Sequence, residues 1–182
     1  MPAVIAIDFE TELIERGCDA PRPVCMSWMR QTDEKASLAG RGSFVPLLRS
    51  YLEDERWIIV GAGIPFDFGV AIEHDESLLL PVFRAYVAGR VRDVFVRERL
   101  LAIRDGRLHR TKINLEALAQ TYLHFNLNKG ADSWRYRYGE LMNVPLDAWP
   151  PEARNYATAD AFATLRVYHA QQELAGCLVT SE

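Results

Sequence analysis

The chain has 182 residues, 49% of them apolar and 25% charged, with a formal net charge of −4. This is ordinary for a soluble globular protein with one real core, and the charge is too small to argue for or against a polyanionic partner. Cys18, Cys25 and Cys177 are odd in number and lack a CxxC spacing, which excludes a disulfide framework and a cysteine-built zinc site.

In chain order, residues 3 to 9, "AVIAIDF", read as a buried strand: short, apolar and bounded by polar residues. No signal peptide fits before it and no apolar run approaches ~18 residues, so a cytoplasmic protein without a membrane span is expected. "PVCMSWMR" (23 to 30) alternates like a second strand, and "KASLAG" (35 to 40) like a short third. Ser43 can cap a helix through about Glu53, with Phe44, Leu47, Leu48 and Leu52 as its apolar stripe. "RWIIVGAG" (56 to 63) is a buried strand ending in a glycine turn, and 66 to 73 and 77 to 88 read as helices. Asp93 can cap a helix over 94 to 104, "DGR" at 105 is a turn, and Asn114 opens "LEALAQTYL". An irregular stretch, 125 to 149, precedes a long final helix from about Pro151 to Leu174. Strands come early and helices late, which implies one α/β domain over 1–182 with a mixed sheet. Between Arg90 and Lys112, seven Arg and one Lys face three acids. The run is either a solvated helix face or a phosphate-facing flank.

Four acids carry the chemistry. Asp8 and Glu10, two apart on a strand, project from one face at its end. Asp67 follows a strand and a glycine turn, between Phe66 and Phe68. Asp160 sits four residues after Tyr156, among Ala157, Ala159, Ala161, Phe162 and Ala163 on the last helix. Taken singly, each has a plain structural reading: a strand-end pair, a first-turn helix acid, a surface Tyr–Asp pair. Taken together, they stand at the ends of three elements able to meet at one sheet edge. Four uncompensated carboxylates in one pocket would be driven to protonate. Hard, oxygen-seeking cations, Mg²⁺ or Mn²⁺, remove the conflict. Two such ions can orient a water and stabilise a leaving oxygen in phosphodiester cleavage.

Asp8-x-Glu10, Phe66-Asp67 and Tyr156-x-x-x-Asp160 resemble the three exonuclease motifs of the DEDD superfamily, the Tyr marking its "y" branch. That branch includes the proofreading 3′–5′ exonuclease domains of family-A DNA polymerases and the ribonuclease D group. "IAIDFET", "FDFGV" and "LEALAQTYL…LNKG…WRYRYGEL…PLDAWPPEARNYATADAFATLRVY" extend the resemblance over almost the whole chain, closest to the polymerase-associated versions. It implies a ribonuclease-H-like mixed sheet flanked by helices on both faces. It further implies two Mg²⁺ or Mn²⁺ ions held by Asp8, Glu10, Asp67 and Asp160, with Tyr156 orienting the attacking water. A Tyr of ordinary pKa, near ~10, is a poor general base at neutral pH, so Tyr156 steers the water and Glu10 can accept from it. One departure stands out: the family's Asn four residues before the second-motif Asp is Gly63 here.

A frayed 3′ end needs cations and stacking aromatics. Candidates are Phe9, Thr11, Phe66 and Phe68, with Lys129, Trp134, Arg135, Tyr136, Arg137 and Tyr138 in the stretch 127 to 141, half of whose aromatics are expected in the core; the resemblance further implies Leu13 or Ile14 as a wedge against terminal bases. Among the aromatics of 127 to 141, Trp134 is expected to be the one most buried. His74, His109, His124 and His169 lack metal-ligand spacing. The expected activity is 3′–5′ hydrolysis of single-stranded nucleic acid, DNA favoured, with a separate DNA polymerase as a partner. RNA-directed cleavage and a catalytically quiet binding module are the alternatives.

Overall fold

A computed structural model describes residues 3–18, 20–110, 112–127 and 133–176. Its centre is β1 (Ala3–Thr11), whose two-residue period decides what lies on each side of the sheet. Ile5, Ile7 and Phe9 point to a core shared with α1 (Phe44–Glu53), α2 (Ile64–His74) and α3 (Leu79–Val87). Val4 and Ala6 point the other way, to a core shared with α4 (Val94–Arg104), α5 (Leu115–Leu123) and α6 (Pro151–Gly176). Asp8 and Glu10 continue the Val4–Ala6 register, so they emerge on the face that α6 covers.

The strand order is β3 (Ser37–Gly40), β2 (Pro23–Arg30), β1, β4 (Trp57–Gly61), β5 (Val91–Asp93). Pairs β1–β2 and β2–β3 are antiparallel, and β1–β4 and β4–β5 parallel. The fold is the expected mixed sheet with helices on both faces. β5 has no counterpart among the sequence-derived strands, because three residues including Arg92 and Asp93 carry no apolar period of their own. It is a strand because β4 offers it a partner.

One local reading is corrected. Ser43 does not cap α1; its hydroxyl donates to the Gly40 carbonyl at 3.1 Å. Leu47 packs partly buried against this core as its place in the stripe requires, and Tyr51 joins Phe44, Leu48 and Leu52 as the buried residues of the helix. Much of the basic run is engaged within the protein. Arg90 is buried and donates to the carbonyls of Tyr51, Leu52, Asp54 and Trp57, tying the α1–β4 loop to β5. Arg97 lies over the Tyr168 ring at 4.7 Å, Arg104 pairs with Asp105, and Arg107 with the buried Glu98 at 2.8 Å. Among the described residues, no helix is long and apolar enough to cross a membrane.

Candidate active site

The site begins at the end of β1. Asp8 lies opposite Ser27 and Glu10 opposite Cys25, and the register breaks between Glu10 and Thr11. The ladder resumes at Thr11, opposite Pro23, so the irregularity falls beside the carboxylates. α6 crosses this face with Ala157 and Ala161 fully buried; their small side chains let the helix approach the strand closely. Asp160, between them, is thereby carried to the same point. One carboxylate oxygen from each of Asp8, Glu10 and Asp160 lies within 4.8 Å of the others, with Glu10 and Asp160 buried and Asp8 half-buried.

Asp67 reaches the site from the opposite layer. β4 must stop at Gly61, where a Cβ would stand 2.6 Å from the Cβ of Ile64. Gly63 then takes φ +86°, a left-handed turn that a glycine adopts without strain, and this is the position where the family's Asn is missing. Asp93 fixes the turn: its Oδ2 accepts from the Gly63 and Ile64 amides at 3.1 and 3.0 Å, and its Oδ1 accepts from Phe95 and Val96 to cap α4. Asp67, in the first turn of α2, is buried and accepts from the Phe9 amide at 3.2 Å, across 58 residues of sequence. Burial and then the charge of Asp8 push its carboxyl well above the usual carboxylate range; Asp93 and Asp160 add to this and the Phe9 amide opposes it. The 4.8 Å set takes in Asp8, Glu10 and Asp160; Asp67 is not in it, but its carboxyl feels the charges of Asp8 and Asp160.

Tyr156 stands one turn before Asp160, half-buried, its ring 6.1 Å from that of Tyr138. Tyr138, a substrate-side candidate by sequence, belongs to the core behind the site. It is fully buried, donates to the Ala153 carbonyl at 2.7 Å, and backs the ring of Tyr156. Burial, followed by Glu10 and Cys25, raises its phenol far above the ordinary value, so it stays neutral. Trp134, expected inside, is only half-buried and supports the Arg137 guanidinium at 4.3 Å. The sequence held five aromatic and basic residues in a row there without a period to rank them.

Among the substrate candidates, Phe9 is corrected: its ring is buried against Phe44 at 4.9 Å, because odd positions of β1 face the α1 layer. Phe68 is core as well. Phe66, Leu13 and Ile14 are exposed, and Thr11 is half-buried with its hydroxyl on the Glu12 carbonyl. Arg135 is exposed, and Arg137 pairs with Glu140 at 2.9 Å. Lys129 lies outside the described residues. No histidine joins an acidic cluster among the described residues. Beside Tyr156 and Asp160 opens a pocket of about 480 Å³, walled by Phe125, Leu127, Trp134 and Asn155. Phe125 and Asn155 had no motif to announce them; α6 and the irregular segment bring them together only in three dimensions.

The donor set is oxygen-only and crowded with like charge, which suits a hard divalent cation and no thiophilic metal. The 3′–5′ exonuclease family model DNA_pol_A_exo1 matches residues 1–174. The chain belongs to this 3′–5′ exonuclease family. Membership makes it an exonuclease and implies divalent-metal use, which the acidic cluster fits. Solved structures of the same fold include Brucella melitensis NrnC bound to pGG, at 15% identity and TM-score 0.64, covering 93% of this chain and 72% of that one. The EXO domain of Aedes aegypti Nibbler matches at 14% identity and TM-score 0.64, over 96% of this chain and 80% of that one. The catalytic core of RRP6 from Trypanosoma brucei matches at 16% identity and TM-score 0.57, over 96% of this chain and 42% of that one. At these identities the likeness is one of fold, the ribonuclease-H-like sheet already described. No curated protein matches the chain significantly.

Proposed function

We propose that this exonuclease hydrolyses the terminal phosphodiester bond of single-stranded or frayed DNA, releasing nucleoside 5′-monophosphates. The observation that carries the reading is the convergence of Asp8, Glu10 and Asp160 within 4.8 Å, with Asp67 in electrostatic reach of Asp8 and Asp160. Two Mg²⁺ or Mn²⁺ ions held by these four acids would lower the pKa of the attacking water and stabilise the departing 3′ oxygen. The chain's own groups do the rest. Tyr156, fixed by its place on α6 and by Tyr138, directs its hydroxyl at the attacking water. Glu10 accepts a hydrogen bond from that water. The Phe9 amide holds Asp67 in one orientation. Trp134 and Phe125, at the wall of the neighbouring pocket, offer flat surfaces on which the terminal base stacks, and stacking suits any base. Phe66, Thr11, Leu13, Arg135 and Arg137 line the approach of the strand.

DNA is favoured by the polymerase-type family model that the chain matches. A single exonuclease unit over 1–182, in the cytoplasm and serving a separate DNA polymerase, completes the proposal; the free thiols of Cys18 and Cys25 agree with a reducing compartment. The test is release of mononucleotides from 3′-labelled DNA, RNA and dinucleotide substrates with Mg²⁺ or Mn²⁺. Asp67→Ala is expected to lower the rate by a factor on the order of 1,000, and Tyr156→Phe by about 10- to 100-fold with metal affinity unchanged. Near-normal cleavage by Asp67→Ala refutes the site. Wild-type cleavage of RNA with DNA untouched replaces the DNA reading, and no cleavage of any substrate leaves a binding module.

A further inference from the structure

The described residues hold three buried side-chain hydroxyls without a hydrogen-bond partner: Ser27, Ser133 and Thr164. Ser133 lines the pocket beside Tyr156 and Asp160. Ser27 and Thr164 belong to the seam between the sheet and α6, and both are 0% exposed. Ser27 is the cross-strand partner of Asp8, so their Cβ atoms leave one face of the sheet about 4.5–5.5 Å apart. Its neighbours on that face of β2 fix what it meets on the helix. Cys25 shares a core cluster with Ala153 and Ala157, and Met29 shares one with Leu165 and Tyr168. Ser27 alternates between them and therefore faces the stretch of α6 that holds Asp160, Ala161 and Thr164. Thr164 stands one turn after Asp160 on the same side of the helix, about 5–6 Å from it between Cβ atoms. Each of the two hydroxyls is thus the neighbour of one acid of the cluster.

An unpaired buried hydroxyl destabilises a fold, and elsewhere the chain avoids one. Thr158, on the same helix, donates to the Arg154 carbonyl at 2.8 Å, and Thr121 on α5 to the Ala117 carbonyl at 2.8 Å. That backward bond is the ordinary solution for a helical threonine. Thr164 does not make it. Ser43 and Ser50 likewise find the carbonyls of Gly40 and Leu47, whereas Ser27 finds none. Stability alone would favour Ala at 27 and Val at 164. We propose that Ser27 and Thr164 are positioning residues, whose hydroxyls donate to Asp8 and Asp160 when a divalent cation is bound there. The proposal rests on the reading of those acids as cation ligands. A carboxylate that gives one oxygen to a cation has a second oxygen, and a donor on that oxygen fixes the plane of the group. A hydroxyl supplies the donor by turning about one side-chain torsion, with strand and helix left in place.

Calorimetric titration of Mn²⁺ into the full chain, paired with thermal unfolding of the metal-free protein, tests this. Ser27→Ala and Thr164→Val should each weaken Mn²⁺ binding about 10-fold. Neither should lower the melting temperature, because each removes an unpaired buried hydroxyl. Thr164→Ser keeps the hydroxyl and gives up a buried methyl, so it should melt lower yet bind Mn²⁺ as wild type does. A purely structural role would move the melting temperature and leave the affinity alone. Wild-type affinity in Ser27→Ala and Thr164→Val overturns the proposal, as does a loss in Thr164→Val that Thr164→Ser repeats. Asp160→Asn tells the two possible failures apart. If it binds Mn²⁺ like wild type, the acids are not the cation site and the proposal falls with that reading. If it loses Mn²⁺ while Ser27→Ala and Thr164→Val retain it, the positioning role alone is lost.

Discussion

Asp93→Ala separates the scaffold from the chemistry more cleanly than any change to the acids themselves. Its carboxylate takes four backbone amides: Phe95 and Val96 at the start of α4, and Gly63 and Ile64 in the turn that launches α2. Loss of the cap costs about 1 kcal/mol. Ile64 is buried, so its amide loses its partner without gaining water, a further cost of about 1–3 kcal/mol. Together the variant should lose about 3 kcal/mol, or roughly 6–12 °C in Tm for a chain of this size. Because Asp67 rides on the first turn of α2, kcat should fall about 10- to 100-fold at a temperature where the variant is folded. Urea unfolding and steady-state hydrolysis on one preparation read both effects. A stability loss below about 1 kcal/mol with full activity would refute the argument that Asp93 sets the β4–α2 turn.

Two further outcomes concern the far end of α6. Glu98, 1% exposed, accepts from Arg107, from the Tyr122 hydroxyl at 2.5 Å and from Gln171 at 3.1 Å, so Glu98→Ala should cost about 3 kcal/mol in chemical unfolding; a change within experimental error counts against the network. Burial and the hydrogen bond to Glu98 push the Tyr122 phenol up to about 12. A raised pKa stabilises the protonated fold fully below the unfolded value near ~10 and loses that contribution as pH climbs through the folded value. Tyr122→Phe should therefore be less stable than wild type by about 1 kcal/mol at pH 9, the gap closing towards pH 12; a gap constant over that range is the wrong result.

Much of this site is legible in the sequence, and the limits have physical causes. The i, i+2 rule put Asp8 and Glu10 on one face, and the i, i+4 rule put Tyr156 and Asp160 on another; both are local geometry. What brings the two pairs together is the parity of β1, which also turns Phe9 inward, and parity has no meaning until the α6 layer is known. The dual role of Asp93 was half visible: a cap is a local signal, but its bonds to Gly63 and Ile64 span thirty residues. β5 was invisible because its strand character comes from β4. For the basic run the sequence left a solvated face and a phosphate flank open, since it does not show that Tyr51, Glu98 and Tyr168 engage Arg90, Arg107 and Arg97.

α6 ties the catalytic end of the molecule to its anchor with a fixed phase. Each residue of an α-helix turns about 100° and climbs ~1.5 Å, so Asp160 and Gln171 face the β1 acids and Glu98 only because ten residues separate them. Inserting a single residue between them would rotate one against the other by more than a quarter turn, and either the acid or the anchor would leave its place. Between Asp160 and Gln171, therefore, the length of α6 is fixed to the residue.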